Sequence, residues 1–156
     1  MTQFTFLPST EGADLADDIR SLFEDLAASL RHDQRAYSGE CQPALDVFES
    51  ETAVEVEMDA AGVPAEALRV VFRGDVLIIA GEKAPTPTDQ SQAFHLVERE
   101  FGRFARAVRL KGAFDVAASR ATLRDGVLSI VLPKIADRRG KPQSIRVEEG
   151  SIEERR

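Results

Sequence analysis

Few side chains in this sequence are of the types that hold metals or attack substrates. Its two histidines, His32 and His95, stand far apart, and Cys41 is its one cysteine. A structural zinc site needs four ligands, and a disulfide needs two cysteines, so neither is predicted within a single chain. We therefore expect no metal and no cofactor.

Pairs of carboxylates are the remaining candidates for catalysis. Glu55 and Glu57, and likewise Glu98 and Glu100, could in principle supply the two acids of a glycosidase. Alternate residues of a strand share one face, however, and glutamates in such a row are typical of a surface in contact with water. The phosphate-loop and nucleophile-elbow motifs are absent from the sequence. We therefore predict that the protein is not an enzyme.

The composition favours a soluble protein-binding domain. A chain of 156 residues is long enough for one domain with extensions, and its net charge of −7 argues against nucleic-acid binding, which needs a basic face. The N-terminus does not resemble a signal peptide, and no apolar stretch is long enough to span a membrane. We expect a cytoplasmic protein that does not require a membrane.

An apolar pair in the charged C-terminal part of the chain points to protein binding instead. Ile145 and Val147 flank Arg146, and in an extended segment the two apolar side chains project from the same face. Nothing nearby in the sequence would bury them. Residues 135–156 are therefore predicted to be a flexible tail that binds another protein surface.

Residues 1–42 are predicted to form an N-terminal arm with one amphipathic helix. Asp14 is the candidate N-cap. The apolar residues at helical spacing are Leu15, Ile19, Leu22, Phe23, Leu26 and Leu30. The helix could pack on its own domain, or it could bind partners and unfolded proteins, and the polar loop at 37–43 leaves both alternatives open.

The pattern changes to period two between residues 43 and 134. Turn signals at 74–75 and 125–126 separate short apolar segments, Gly81 is predicted to end the strand at 76–80, and Gly102 is predicted to bend the chain between strands at 94–100 and 103–110. About eight short strands predict an all-β fold, an immunoglobulin-like antiparallel β-sandwich.

Arg106 departs from the pattern of its strand, because it shares a face with Phe104, Val108 and Leu110. A buried guanidinium without partners is unfavourable. We expect Arg106 to pair with a carboxylate or with backbone carbonyl groups, either in its own chain or across a subunit boundary. The alternative is that its stem packs while its charged end reaches water.

Several segments, in the same order, resemble the small heat shock proteins, which are α-crystallin-domain chaperones of the HSP20 class. These segments are Glu-Arg-Glu-Phe-Gly-Arg-Phe-Ala-Arg at 98–106, Ala-Thr-Leu-Arg-Asp-Gly-Val-Leu at 121–128, and the runs 43–49 and 77–83. The resemblance covers residues 43–134, and it is to bacterial-type members of the family. It implies an α-crystallin β-sandwich that holds unfolding client proteins without ATP and without turnover chemistry.

The resemblance also implies how the chains assemble. Ile145 and Val147 are similar to the family's C-terminal anchor, and the receiving groove maps onto Leu68, Val70, Phe72, Ala121 and Leu123. In bacterial-type members a strand is exchanged between the two chains of a homodimer, which here would pair 94–97 with 45–47 of the other chain. The predicted dimer interface comprises Leu45, Val47, Phe94, Leu96 and Arg106, and such homodimers would build larger homo-oligomers.

Capture of unfolding clients is assigned to the apolar residues of the arm. These are Phe4, Phe6, Leu22, Phe23 and Leu26. A competing interpretation is an adaptor with the same sandwich that docks one folded partner. Such an adaptor would need neither the amphipathic arm nor the C-terminal anchor, and it would run as a monomer on sizing.

Overall fold

The structure is a computed structural model, and it describes residues 9–30, 41–85, 91 and 93–135. One helix, α1 (Ser9–Ser29), precedes the strands, and one 3₁₀ turn (Ala65–Ala67) leads into the third strand. The strands are β1 (Leu45–Glu49), β2 (Ala53–Asp59), β3 (Leu68–Arg73), β4 (Val76–Lys83), β5 (Gly102–Arg109), β6 (Arg120–Arg124) and β7 (Val127–Pro133).

The strands form two antiparallel sheets that pack face to face. One sheet has the order β1-β2-β7-β6, and the other has the order β3-β4-β5. The predicted antiparallel β-sandwich is therefore confirmed. The described residues form seven strands rather than about eight, because residues 93–101 pair with none of the strands in that part of the chain.

The core lies between the sheets and consists of alternate residues of the central strands. Val54, Val56 and Met58 of β2 are buried, whereas Glu55 and Glu57 between them are exposed, as the period-two pattern predicts. The residues that complete this layer from the other central strands are Leu128, Ile130 and Leu132 of β7 and Leu77 and Ile79 of β4. Removing these side chains from water supplies most of the stabilisation of the sandwich.

The hairpin between β6 and β7 has the turn that its sequence predicts. Asp125 and Gly126 have φ angles of 51° and 79°, so both central residues are in the left-handed region. A turn with two positive φ angles matches the right-handed twist of the strands that it joins. It aligns Leu123 with Leu128 across the hairpin.

Gly81 does not end its strand, contrary to the prediction. It lies inside β4, pairs with Phe104 of β5 and faces the core. A Cβ atom built on Gly81 would collide with the Phe104 ring and would lie 3.0 Å from the Ala67 carbonyl oxygen. The glycine is therefore explained by the aromatic ring that occupies its side-chain space, and not by the end of a strand.

The helix begins earlier than predicted and packs on its own domain. It begins at Ser9, so Asp14 lies within it and is not its N-cap. The helix covers the outer face of the three-stranded sheet, where Ile78 and Ala80 of β4 and Leu26 of α1 are almost completely buried. Of the two alternatives for the arm, the structure shows the helix packed on its own sheet.

Replacing Gly81 by alanine is expected to lower the free energy of unfolding by about 1–3 kcal/mol, because the new methyl group overpacks the core. A Gly81→Ala/Phe104→Leu double variant should lose less than the sum of the two single changes, since the smaller side chain leaves room for the methyl group. Urea denaturation of the four proteins measures this. Strictly additive losses would contradict the steric explanation.

Candidate protein-interaction surfaces

The first candidate surface is the free edge of β1. Ala44 accepts a hydrogen bond from the Asp59 N–H, and the Ser50 N–H donates to Ala53, both at 2.9 Å. Directly opposed residues of an antiparallel pair alternate between bonded and non-bonded. The register of β1 with β2 then bonds the even-numbered residues 44–50 to β2. The N–H and C=O groups of Leu45, Val47 and Glu49 point to the free side.

Apolar side chains are also exposed along this edge. Val47 lies opposite Val56 on the core-facing side of β1, yet it is 44% exposed because β1 is the outermost strand. Phe48, on the opposite side, is 48% exposed. The sequence prediction included Leu45 and Val47 but missed Phe48. The sequence does contain an indication of this exposed side chain, because Phe48 occupies a position of the alternating strand where a polar residue is expected.

The second candidate surface is the segment that precedes β5. Phe94, Leu96 and Val97 are 69%, 74% and 61% exposed, and residues 93–101 have no ladder partner among the described residues. Phe94 and Leu96 are two positions apart and would share one face of an extended chain. Three large apolar side chains in one exposed segment are typical of a site that binds another protein. Val97 was not among the predicted interface residues.

Arg106 connects β5 to the start of β1. Its Nη1 donates a hydrogen bond of 3.0 Å to the Pro43 carbonyl oxygen, and its side chain is half-buried on the core face of β5. This confirms that the guanidinium pairs with a backbone carbonyl of its own chain. The bond fixes the chain immediately before Leu45, so Arg106 positions the edge that carries β1. Its place in a dimer interface remains a prediction.

The predicted groove residues lie on two edge strands. β3 is the outer strand of one sheet and β6 is the outer strand of the other. Leu68 is buried, Val70, Phe72 and Leu123 are partly buried against the core, and Ala121 is exposed. The Phe72 ring meets the Phe114 ring edge to face at a centroid distance of 5.7 Å.

The structure keeps part of the predicted client-binding arm inside the molecule. Leu26 is buried, while Leu22 and Phe23 are half-buried, and the ring of Phe23 lies 5.6 Å from the Arg103 guanidinium carbon. In this conformation Leu26 is not accessible to a client. Four predicted residues lie outside the described part of the chain: Phe4, Phe6, Ile145 and Val147.

Ion pairs between the helix and the sheet were not anticipated from the sequence. Arg69 Nε lies 2.7 Å from Asp25 Oδ2, and Arg73 pairs with Asp18. The partners stand more than forty positions apart, so no local spacing indicates them. Each pair has a side chain that is more than half exposed, and such pairs contribute only about 0.2–1 kcal/mol.

The residues considered for chemistry do not assemble into a site. Cys41 is buried, and burial raises the pKa of its thiol, partly offset by Lys83, with Glu100 acting in the raising direction. A reactive thiol needs the opposite shift. Among the described residues no three His, Cys, Asp or Glu side chains are close enough to hold a metal ion. No helix in the same part of the chain is long and apolar enough to cross a membrane.

Comparison with known proteins connects these surfaces to one family. The model of the Hsp20/alpha crystallin family matches residues 46–148, about two thirds of the chain, which includes the described strands from β2 to β7 and nearly all of β1. The chain belongs to the Hsp20/alpha crystallin family. Members of this family are stress-response chaperones and not enzymes.

Relatives with known names agree with this assignment. Spore protein SP21 of Stigmatella aurantiaca is 32% identical over 113 residues, which cover 72% of this chain and 66% of that protein. Small heat shock protein C4 of Rickettsia felis is 27% identical over 118 residues, 76% of this chain and 72% of that protein. The resemblance drawn from the sequence motifs is therefore confirmed at the level of the family.

Solved structures of the family share the fold. Heat shock protein 16.0 of Schizosaccharomyces pombe superimposes with a TM-score of 0.59 at 26% identity, covering 71% of this chain and 99% of that one. A small heat-shock protein of Xylella fastidiosa, described as having a distinct high order structure, gives a TM-score of 0.60 at 28% identity. That match covers 70% of this chain and 98% of the other. The α-crystallin sandwich is thus confirmed.

Arg106→Ala is expected to lower the free energy of unfolding by about 1–3 kcal/mol, because it removes a hydrogen bond from a charged donor to the Pro43 carbonyl oxygen. Arg120→Ala is the matched control, since Arg120 is exposed on edge strand β6 and should change stability by less than about 0.5 kcal/mol. Urea denaturation compares the two. Equal losses would show that Arg106 has no special positioning role.

Proposed function

We propose that this chaperone is an ATP-independent holdase of the cytoplasm, which binds unfolding proteins and prevents their aggregation. Its basic unit is a strand-exchanged homodimer, and homodimers assemble into larger homo-oligomers. The observation that supports this proposal is that one chain has both an outer edge of β1 without a strand partner among the described residues and an exposed apolar segment at 93–97.

The dimer forms when residues 94–97 of one chain add a strand to β1 of the other. The outward N–H and C=O groups of Leu45 and Val47 then gain backbone partners, and Phe94 and Leu96 are withdrawn from water. Addition of a strand to an exposed edge is a common mode of protein recognition. By two-fold symmetry the same exchange occurs twice, so both edges are satisfied in one closed assembly.

Val47→Pro is expected to convert the dimer into a monomer. Proline removes an N–H that points to the free side of β1, whereas the hydrogen bonds between β1 and β2 come from the even-numbered residues. Val47→Ala is the matched control, because it also replaces the valine side chain but keeps the backbone N–H of residue 47. Multi-angle light scattering measures the masses. A dimeric Val47→Pro variant would rule out pairing along this edge.

Larger assemblies form when the C-terminal tail of one dimer binds the groove of another. Ile145 and Val147 would enter between β3 and β6, where Leu68, Val70, Phe72 and Leu123 present apolar surface and Ala121 leaves room for an inserted side chain. Burial of two aliphatic side chains contributes roughly 3–5 kcal/mol before the loss of tail entropy. A single contact is thus reversible, and many contacts in one particle hold together.

The Ile145→Ala/Val147→Ala variant is expected to shift the particle to the mass of the dimer, because the anchor no longer buries apolar surface in the groove. Arg146→Ala changes the residue between them and keeps both apolar side chains, so its particle should keep the wild-type mass. Size-exclusion chromatography with light scattering distinguishes the two. A wild-type mass for the double variant would exclude the anchor.

Client capture is assigned to apolar surface of the N-terminal arm, including Phe4, Phe6, Leu22, Phe23 and Leu26. The test is light scattering from citrate synthase during heating, with and without this protein and with no nucleotide present. We expect scattering to fall as the amount of protein rises and to be unaffected by added ATP. Unchanged aggregation at every ratio, or suppression only with ATP, would contradict the proposed holdase function.

A further inference from the structure

The three-stranded sheet has a second apolar face, on the side away from the sandwich core. Ile78 and Ala80 alternate along β4 with the core residues Leu77 and Ile79, so their side chains point outward. They are nevertheless only 1% and 0% exposed. They lie under α1, together with Leu26 of the helix. This contact lies on the face of the sheet opposite the sandwich core, and Leu30, directly after the helix, packs against that core.

Polar contacts at the edge of this face fasten the helix to β3. The Arg69 guanidinium bonds Asp25 at 2.7 Å and the Ser29 hydroxyl at 2.5 Å, and Arg73 pairs with Asp18. In each ion pair one side chain is about two thirds exposed. Water and salt screen such pairs, so the charges orient the helix without locking it.

Packing is looser on the side of the helix that faces β5. An open cleft of about 400 Å³ lies there, and its lining consists of Ala16, Ile19, Arg20, Phe23, Glu24 and Ala27 of the helix and Arg103 of β5. The helix therefore packs closely against β4 and leaves a gap beside β5.

We propose that α1 is a releasable cover over a client-binding surface, and this inference rests on the proposed holdase function. Release of α1 exposes Ile78 and Ala80 on the sheet and the apolar face of the helix. It also leaves Arg69 and Arg73 without their carboxylates. The uncovered sheet therefore suits unfolded segments that resemble α1 itself, with apolar residues spaced between aspartates or glutamates.

The test is charge reversal of the two carboxylates that fasten the helix, Asp18→Arg/Asp25→Arg. The substitution at Asp18 would place a positive charge beside Arg73, and the substitution at Asp25 would place one beside Arg69. Like charges in direct contact repel. Hydrogen exchange of the α1 amides reports whether the helix is released. Light scattering from citrate synthase reports client binding, and the melting curve shows whether the sandwich remains folded.

Two further proteins serve as controls. Asp14→Arg/Asp17→Arg makes the same change of charge at exposed positions of the helix, where Asp17 pairs only with Arg20 of the helix itself among the described contacts. The charge swap Asp18→Arg/Asp25→Arg/Arg69→Asp/Arg73→Asp restores attraction with the signs exchanged. It separates a role of the ion pairs from a general effect of charge.

The proposal predicts faster hydrogen exchange in α1 for the charge-reversed variant than for the wild type. It also predicts that the variant suppresses half of the aggregation at a protein concentration at least about threefold lower than the wild type needs. The reason is that a site which is uncovered in only a fraction of the molecules has its apparent affinity reduced by that fraction. The control should resemble the wild type, and the swap should return both values toward it. Two results would contradict the proposal that α1 is a cover: unchanged hydrogen exchange in α1, or faster exchange in α1 with suppression of aggregation that is equal to or weaker than that of the wild type. Neither result would contradict the holdase function. If the wild type itself suppresses nothing, the holdase function fails first.

Discussion

Backbone groups along β1 that have no strand partner among the described residues are the constraint on which the proposed assembly depends. An edge strand of an antiparallel sheet offers the N–H and C=O groups of every second residue to whatever lies beside it. Here those residues are Leu45, Val47 and Glu49, and they are accompanied by exposed Val47 and Phe48 side chains. Within the described part of the chain, no second strand pairs along this edge of the sandwich. In the proposed dimer the segment at 93–97 of a second chain completes this edge.

The rest of the fold holds the β1 edge in place, and it has a second surface, the outer face of the three-stranded sheet under α1. The Arg106 bond to Pro43 fixes the entry to β1, and the buried residues of β2 behind it fix the register. A strand edge recognises backbone in one register, which suits a defined partner such as a sister chain. The outer face under α1 offers apolar area and charge but no strand edge, and the proposed cover would expose it to the varied segments of unfolding proteins.

Much of the sandwich was predictable because its signals are local. The alternation of Val54, Val56 and Met58 with glutamates specified β2, and Asp125-Gly126 specified a hairpin. Gly81 was misread, because its meaning depends on Phe104, which lies 23 positions later and takes the space of its side chain. The predicted strand at 94–100 has strand-like residues but no partner among the residues that the structure describes, and a strand needs a partner for its backbone hydrogen bonds.

The site was predictable where the family motifs or a broken pattern marked it. Arg106 was found because a charged residue stood among apolar ones, and the structure supplied its partner, Pro43. The docking of α1 was left open, since a helical apolar stripe does not say what it covers. Its ion pairs to Arg69 and Arg73 join residues far apart in the chain, so only the folded arrangement reveals them.

Residue-resolved hydrogen exchange along β1, measured over a range of protein concentrations, tests the central claim most directly. The amides of Asp46 and Phe48 bond to β2 within the chain and serve as the internal reference. If a second chain completes this edge, the amides of Leu45 and Val47 are protected at high concentration and lose that protection on dilution, while the reference amides keep theirs. Rapid exchange of Leu45 and Val47 at every concentration would contradict the account.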